Sequence, residues 1–221
     1  MDQKISNALQ QCIVHFNIDK PDQAGQLAKD LGAVFESQSP FLEKVSQLDA
    51  LIDDSPEYEE LREILFDLLM LNFFVTDVSR LESDYLESDE WAGIEDQTIE
   101  RGTELLNLLL YLSECADEDI DPDLEDFLRE FLLVDEDEFQ DEHHIYEPII
   151  SRQILVESSY EEIGSAARSL PSDQELAELF YAMMAFFFEP VPGTEDLREF
   201  EQHAANPDFD RSLYQLIVNF K

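Results

Sequence analysis

The chain is organised around residues 55–85, SPEYEELREILFDLLMLNFFVTDVSRLESDY. Ser55 is a suitable helix N-cap, Pro56 fits the first helical position, and the glutamates that follow favour the positive end of a helix dipole. Apolar residues then recur every three or four positions from Ile64 to Val78, which is typical of a buried helix face. Further apolar side chains widen this face. The stretch therefore predicts a central helix packed on several sides.

The rest of the chain repeats helical patterns at shorter length. Six glycines in 221 residues, a hydrophobic fraction of 44% and many Leu, Phe and Glu favour helix over sheet. No long alternation of Val, Ile and Thr predicts a strand. We expect an all-α fold, a single-domain irregular antiparallel helical bundle of about ten helices. Its core is expected around Leu68, Leu109 and Met183.

Some local patterns make sharper predictions. A leucine-rich helix from Ile99 to Leu112 should pair with the central helix, and the apolar stretch Leu179–Phe188 should be buried against it. Trp91-Ala92-Gly93 interrupts a run of acids and predicts a turn, in which the tryptophan covers the edge of the core or anchors a partner. Residues 135–144 predict a charged linker or a frayed helix end.

Capping patterns predict where two later helices begin. Ser158 with Glu161, or Ser159 with Glu162, has the spacing of a capping box for one helix, and Ser172 with Glu175 has it for another. The Ser172 pair precedes the apolar helix that contains Met183.

The net charge of −40 is the extreme feature of the composition. Residues 1–52 are near-neutral with a net charge of −3, and residues 143–221 carry −9. The middle segment, residues 53–142, has 32 acids against four arginines, a net charge of −28. Self-repulsion of this size opposes compaction at low salt. The acids form either a solvated face that keeps the protein soluble or a surface that meets a strongly basic partner.

Helical acids three or four residues apart lie roughly 5–6 Å from each other. This is similar to the separation of successive phosphates along one strand of a duplex, which carries a charge every ~3.4 Å of axis. Such an array would attract a DNA-binding protein and repel nucleic acid itself. The predicted partner-binding residues are Glu82, Asp84, Glu87, Asp89, Glu90, Asp117, Glu118, Asp119, Asp121, Asp123, Glu125, Asp126, Asp135, Glu136, Asp137 and Glu138.

Acids at 119, 121, 123 and 130 match positions 1, 3, 5 and 12 of a calcium-binding EF-hand loop. The match fails because Leu124 stands where the loop needs glycine and Pro122 lies inside it. The sequence therefore argues against an EF-hand.

Histidines offer no better case for a metal. His143 and His144 follow two acids in a polar segment, and Glu199 with His203 is an isolated pair. A di-iron bundle needs two Glu-x-x-His motifs plus further glutamates, and neither pair is duplicated. We predict no metal and no cofactor, with a metal-binding or catalytic role as the weakest hypothesis.

Catalytic signatures are also missing from the sequence. Cys12 lies on an apolar face, and Cys115 has no basic neighbour to lower the pKa of its thiol. Neither a Gly-x-Ser-x-Gly motif nor a glycine-rich phosphate loop occurs. We therefore expect no enzyme, two free thiols and, with no secretory signal pattern or membrane-spanning stretch, a cytoplasmic protein.

These patterns predict a non-enzymatic interaction protein that binds a basic protein surface through residues 82–142. Mimicry of DNA, inhibiting or modulating a nucleic-acid-binding protein, is the most specific form of this hypothesis. The alternative is a cytoplasmic helical chaperone or adaptor that binds a client through an apolar groove. Met183-Met184 and Phe186–Phe188 could line such a groove, although their pattern favours the core. The oligomeric state stays open.

Overall fold

The computed structural model describes residues 1–76, 85–99, 101–102, 104–135, 138–139 and 145–220. Twelve α-helices occupy these ranges. They are α1 (Gln3–Phe16), α2 (Pro21–Glu36), α3 (Phe41–Asp53), α4 (Arg62–Thr76), α5 (Asp89–Thr98), α6 (Glu104–Glu118), α7 (Leu124–Leu132), α8 (Glu147–Ile150), α9 (Tyr160–Arg168), α10 (Phe180–Phe188), α11 (Thr194–His203) and α12 (Pro207–Val218).

Short elements connect these helices. Four 3₁₀ helices span Pro56–Leu61, Tyr85–Glu87, Gln153–Glu157 and Glu175–Ala177. One small antiparallel hairpin joins β1 (Leu133–Asp135) and β2 (Glu138–Phe139). The fold is an all-α bundle, as predicted, with this hairpin as its one departure among the described residues.

The core is continuous and includes the three positions expected at its centre. Leu68, Leu109 and Met183 are all fully buried. The two ends of the chain also meet, because α1 packs along α12. Cys12 Sγ lies 3.2 Å from Ser212 Oγ in that interface, and Asn7 Nδ2 donates to Asn219 O at 2.9 Å.

The central helix begins later than predicted. A 3₁₀ helix occupies Pro56–Leu61, Ser55 makes no side-chain cap, and the α-helix starts at Arg62. Residues i and i+3 eclipse in a 3₁₀ helix, and this geometry buries both Tyr58 and Leu61. The helix is described as far as Thr76, and residues 77–84 of the predicted stretch lie outside the described residues. Tyr85, the last residue of the stretch, begins a separate 3₁₀ helix.

Burial of α4 on all sides is confirmed. Every residue from Ile64 to Phe73 is buried, including Asp67 and Asn72. The helix packs against α6, the predicted partner, and also against α1 and α3.

The prediction that the apolar helix, α10, packs against the central helix α4 is wrong. Although α10 is buried from Phe180 to Phe186, it packs chiefly on α12 and α9. An aromatic stack accounts for the packing of α10 on α12. The ring of Tyr181 lies 4.6 Å from that of Phe200, which lies 4.3 Å from that of Tyr214 on α12.

The predicted turn at Trp91-Ala92-Gly93 is also wrong, because these residues lie inside α5. Ser88 Oγ caps this helix by accepting from Trp91 N at 3.1 Å. The indole ring packs 6.4 Å from the ring of Phe73 and 5.7 Å from that of Phe74. The cap at Ser88 and the ring contacts of Trp91 outweigh the weak helix propensity of Gly93. Trp91 therefore covers the edge of the core.

Two further boundaries differ from prediction. Ser172 caps no helix, since a 3₁₀ turn spans Glu175–Ala177 and α10 starts at Phe180. The cap at Ser159 is confirmed, because its Oγ accepts from Glu162 N at 3.3 Å. Within the predicted linker 135–144, the hairpin includes positions 135, 138 and 139, where ladder pairing replaces the expected irregular chain.

The junction between α6 and α7 is held by specific backbone bonds. Asp119 adopts a left-handed φ of 57°, and Ile120 N donates to Cys115 O at 2.9 Å, as in a Schellman motif. Asp123 then caps α7, because its Oδ1 accepts from Glu125 N at 2.8 Å. The Tyr111 hydroxyl accepts from Asp123 N at 2.8 Å and donates to Asp123 O at 3.0 Å.

The left-handed residue at this junction gives a test of the fold. Asp119→Gly should raise the free energy of unfolding by about 1 kcal/mol, because glycine adopts positive φ without steric cost. Asp119→Ala removes the same charge but keeps a Cβ, so it should destabilise the protein. Urea denaturation of both variants measures the difference. Equal stabilisation by the two would show that charge, not backbone geometry, controls the site.

Candidate functional site

The sixteen predicted partner-binding acids do not form one described cluster. Glu82, Asp84, Glu136 and Asp137 lie outside the described residues. Asp135 and Glu138 belong to the hairpin strands. The remaining ten fall into two groups. Glu87, Asp89 and Glu90 lie at or just before the start of α5, and Asp117, Glu118, Asp119, Asp121, Asp123, Glu125 and Asp126 lie at the junction of α6 and α7.

The junction group, Asp117–Asp126, mixes structural and unpaired acids. Lys4 Nζ lies 3.3 Å from Asp117, and Arg129 pairs with Glu125 at 2.5 Å and with Asp126 at 3.1 Å. Asp123 is the helix cap. The exposed acids Glu118, Asp119 and Asp121 have no ion pair within the part of the chain that the structure describes.

Both groups border the C-terminal end of α4. Phe74 contacts Trp91 of α5 on one side. It also lines a cavity of about 350 Å³ with Lys4 and Asp117. The central helix thus places the two predicted acidic groups beside the same end of the bundle.

A second acidic feature lies elsewhere on the molecule. An open cavity of about 720 Å³ is bordered by α4, by the N-terminal ends of α6 and α12, and by the segment before α10. We call it the acidic cavity. Arg62 is the single basic residue among its lining side chains, and seven acids line it: Glu59, Glu60, Glu63, Asp67, Glu104, Glu178 and Asp210.

Asp67 is the most buried carboxylate of this cavity, with 3% of its surface exposed. Its Oδ2 accepts from Leu105 N at 3.1 Å, at the start of α6. Its Oδ1 is buried and has no hydrogen-bond partner among the described residues. Burial raises the pKa of Asp67 well above its ordinary value, and the negative charges of Glu104 and Glu63 raise it further.

Asp210 is the second buried aspartate of the cavity and lies in the first turn of α12. It is 4% exposed, and its Oδ2 accepts from Ala205 N and Asn206 N, both at 3.0 Å. Burial raises the pKa of Asp210 to about 6, although the two backbone donors favour the charged form. Across the cavity rim, Glu60 accepts from Asn206 Nδ2 at 2.8 Å.

Two arginines near the rim pair with several acids. Arg62 pairs with Asp49 at 3.1 Å and with Asp53 and Glu59 at 2.6 Å each. Arg101 Nε lies 3.0 Å from Glu63, and its guanidinium carbon is 4.5 Å from the centre of the Phe66 ring. These arginines pair with acids at the rim, whereas Asp67 and Asp210, the most buried carboxylates of the cavity, have no ion pair among the described residues.

Sequence reasoning missed the acidic cavity. Its acids come from four separated parts of the chain, so no local cluster marks them. One signal was available: Asp67 is the single acid in the apolar run Ile64–Phe73, where an unpaired buried charge is costly.

The described residues contain no group of three or more His, Cys, Asp or Glu side chains that could hold a metal ion. His143 and His144 lie outside that part of the chain. Both cysteines are buried and form no disulfide, and burial raises the pKa of the Cys12 thiol to about 12. This shift disfavours the nucleophilic thiolate at Cys12.

The apolar residues considered as a client groove belong to the core. Met183, Met184 and Phe186 are fully buried, and the ring of Phe187 stacks 5.7 Å from that of Phe127. No described helix is long and apolar enough to cross a membrane.

Comparison of the chain with protein-family models, with curated proteins and with solved structures finds no match. Functional inference therefore depends on the geometry of these two acidic features.

Asp210 predicts a defined pH dependence of stability. A carboxyl whose pKa is higher in the folded state binds protons on folding, so its contribution to stability increases as pH falls from above 6 towards 4. Asp210→Asn keeps the acceptor oxygen but cannot ionise. It should stabilise the protein near neutral pH by up to about 3 kcal/mol and flatten this part of the pH profile.

Urea denaturation across about pH 4–8 measures the effect, and the buried Asp67 should contribute in the same direction. Asp173→Asn, which removes one exposed charge, is the control and should keep the wild-type slope. An unchanged slope in Asp210→Asn would contradict the assignment.

Proposed function

We propose that this protein is a non-enzymatic binding protein whose acidic surface recognises a strongly basic protein. A nucleic-acid-binding protein is the partner class that the charge pattern fits best, with the acidic surface in the place of the phosphate backbone. Nucleic acid itself would be repelled by the same charges.

The observation that carries the proposal is the group of unpaired acids at the α6–α7 junction. Glu118, Asp119 and Asp121 are exposed and lack a cation among the described residues. Their backbone is held by the Ile120–Cys115 bond and by the Tyr111 hydroxyl. Because the backbone that carries these carboxylates is already ordered, less conformational entropy is lost when a partner binds them.

The location of the charge supports an electrostatic mode of recognition. Segment 53–142 carries a net charge of −28, whereas segment 1–52 carries −3. An uneven field steers a basic partner towards one part of the surface and accelerates association. Acids needed for solubility alone have no reason to concentrate in one segment.

The resemblance to DNA depends on spacing as well as charge. Helical acids three or four residues apart lie roughly 5–6 Å from each other, close to the spacing of successive backbone phosphates. The pair Glu114 and Glu118 on α6 has this separation in sequence, and both are exposed. Lysine and arginine side chains arranged for a duplex could therefore contact such carboxylates.

Charge reversal tests the proposal. Glu118→Lys combined with Asp121→Lys should weaken partner binding by at least about tenfold, because it places two positive charges within the recognition surface. Glu36→Lys combined with Glu157→Lys changes the net charge equally, at exposed helix ends outside the acidic middle. This control should change binding by less than about threefold.

The measurement is capture of basic proteins from lysate by the immobilised chain, followed by titration of the purified partner with each variant. Binding should fall as salt rises from about 0.05 to 0.3 M, and duplex DNA should compete with the chain for the partner. The helical circular-dichroism signal verifies folding. Equal effects of the two double variants, or binding that resists salt and DNA, would overturn the proposal.

A further inference from the structure

We propose that the acidic cavity is a binding site for a linear aliphatic polyamine, a ligand with several ammonium groups joined by methylene chains. The inference is independent of the surface proposed above, because the cavity lies among different elements and uses different acids.

The first support is a set of carboxylates that converge without a cation. Glu60, Asp67, Glu178 and Asp210 all line the cavity, and none has an ion pair within the described ranges. They come from the 3₁₀ helix before α4, from α4, from the segment before α10 and from α12. Four elements thus present carboxyl groups without a paired cation to one open cavity, and this negative field concentrates cations there.

The second support is the buried oxygen of Asp67. A carboxylate that is 3% exposed normally has its oxygens fully hydrogen-bonded, yet Oδ1 of Asp67 has no partner. Its other oxygen already caps α6 through Leu105 N. The residue forms part of the cavity wall, and an ammonium group is the kind of donor that this carboxylate lacks.

The third support is the character of the remaining wall. Ile64, Leu105, Leu179 and Phe209 line the same cavity between the acids. A wall that contains both apolar and carboxylate side chains suits a ligand whose charges are separated by methylene groups. The volume of about 720 Å³ lies within the usual range of small-molecule sites.

A polyamine fits this wall better than a metal ion. A divalent cation needs several oxygens converging at about 2.0–2.6 Å from one point. No group of three or more potential ligands in the described part of the chain meets that need. A flexible chain with several ammonium groups can instead contact carboxylates that lie apart.

Release of protons on binding distinguishes a ligand in this cavity from one that pairs with exposed surface acids. The pKa values of Asp67 and Asp210 are raised by burial, and a bound cation would lower both. The neighbouring charged groups are Glu63 on α4, Glu104 on α6, Glu178 before α10, and Glu60 with Arg62 at the rim. Binding near pH 6 should therefore release protons, whereas pairing with exposed acids that are already ionised releases none.

Titration calorimetry with spermidine tests the proposal on the purified chain at about 0.15 M salt, where surface attraction is screened beyond about 8 Å. We expect one saturable site per chain, weaker binding of the diamine putrescine, and proton release near pH 6, seen as a dependence of the heat on the buffer.

Matched variants locate the site. Asp67→Asn and Glu178→Gln should each weaken spermidine binding at least fivefold. Asp121→Asn and Glu157→Gln remove the same charge outside the cavity and should change it less than twofold. Glu178 is exposed and makes no contact that folding requires, so this variant stays informative if Asp67→Asn is unstable.

The proposal would be overturned if spermidine showed no saturable binding. It would also be overturned if the control variants weakened spermidine binding as much as the cavity variants, or if putrescine bound as tightly as spermidine. Because the titration uses no protein partner, its failure leaves the surface proposal untouched. Failure of the lysate capture likewise leaves the cavity untouched.

Discussion

Burial of the central helix is the interaction on which the rest of this structure depends. Ten consecutive residues of α4, from Ile64 to Phe73, are removed from solvent by α1, α3, α6 and neighbouring segments. Each large apolar side chain contributes about 1.5–3 kcal/mol when fully buried. That gain must offset both conformational entropy and the repulsion of a chain with net charge −40. The acids are consequently tolerated at the surface and at helix ends, around a core that is almost wholly apolar.

The carboxylates serve three physically different purposes. Some balance arginines, as Asp49 does between Arg62 and Arg101. Others satisfy backbone donors at helix starts, where the helix dipole favours negative charge; Asp67, Asp123 and Asp210 do this for α6, α7 and α12. The remainder include Glu118, Asp119 and Asp121 at the α6–α7 junction and Glu60 and Glu178 in the acidic cavity, none of which has an ion pair among the described residues. Binding is inferred from these acids and, in the cavity, from the buried Asp67 and Asp210 as well.

The two proposed sites differ in how they would recognise positive charge. The junction group is an exposed surface, where recognition is long-range, fast and sensitive to salt. The acidic cavity combines carboxylates with apolar walls and partly dehydrated aspartates, so a ligand gains shape selectivity as well as attraction. The two proposals therefore assign a basic protein and a small polycation to different parts of one acidic chain.

Sequence alone determined the all-α class, the core positions Leu68, Leu109 and Met183, and the pairing of α4 with α6, because helical periodicity and side-chain hydrophobicity are local properties. Tertiary contacts decided the rest. Ring packing with Phe73 and Phe74 kept Trp91 in a helix, and the aromatic stack through Phe200 directed α10 to α12. The acidic cavity depends on acids such as Asp67 and Asp210, far apart in sequence. No local pattern joins them, since only packing decides which distant helix ends meet.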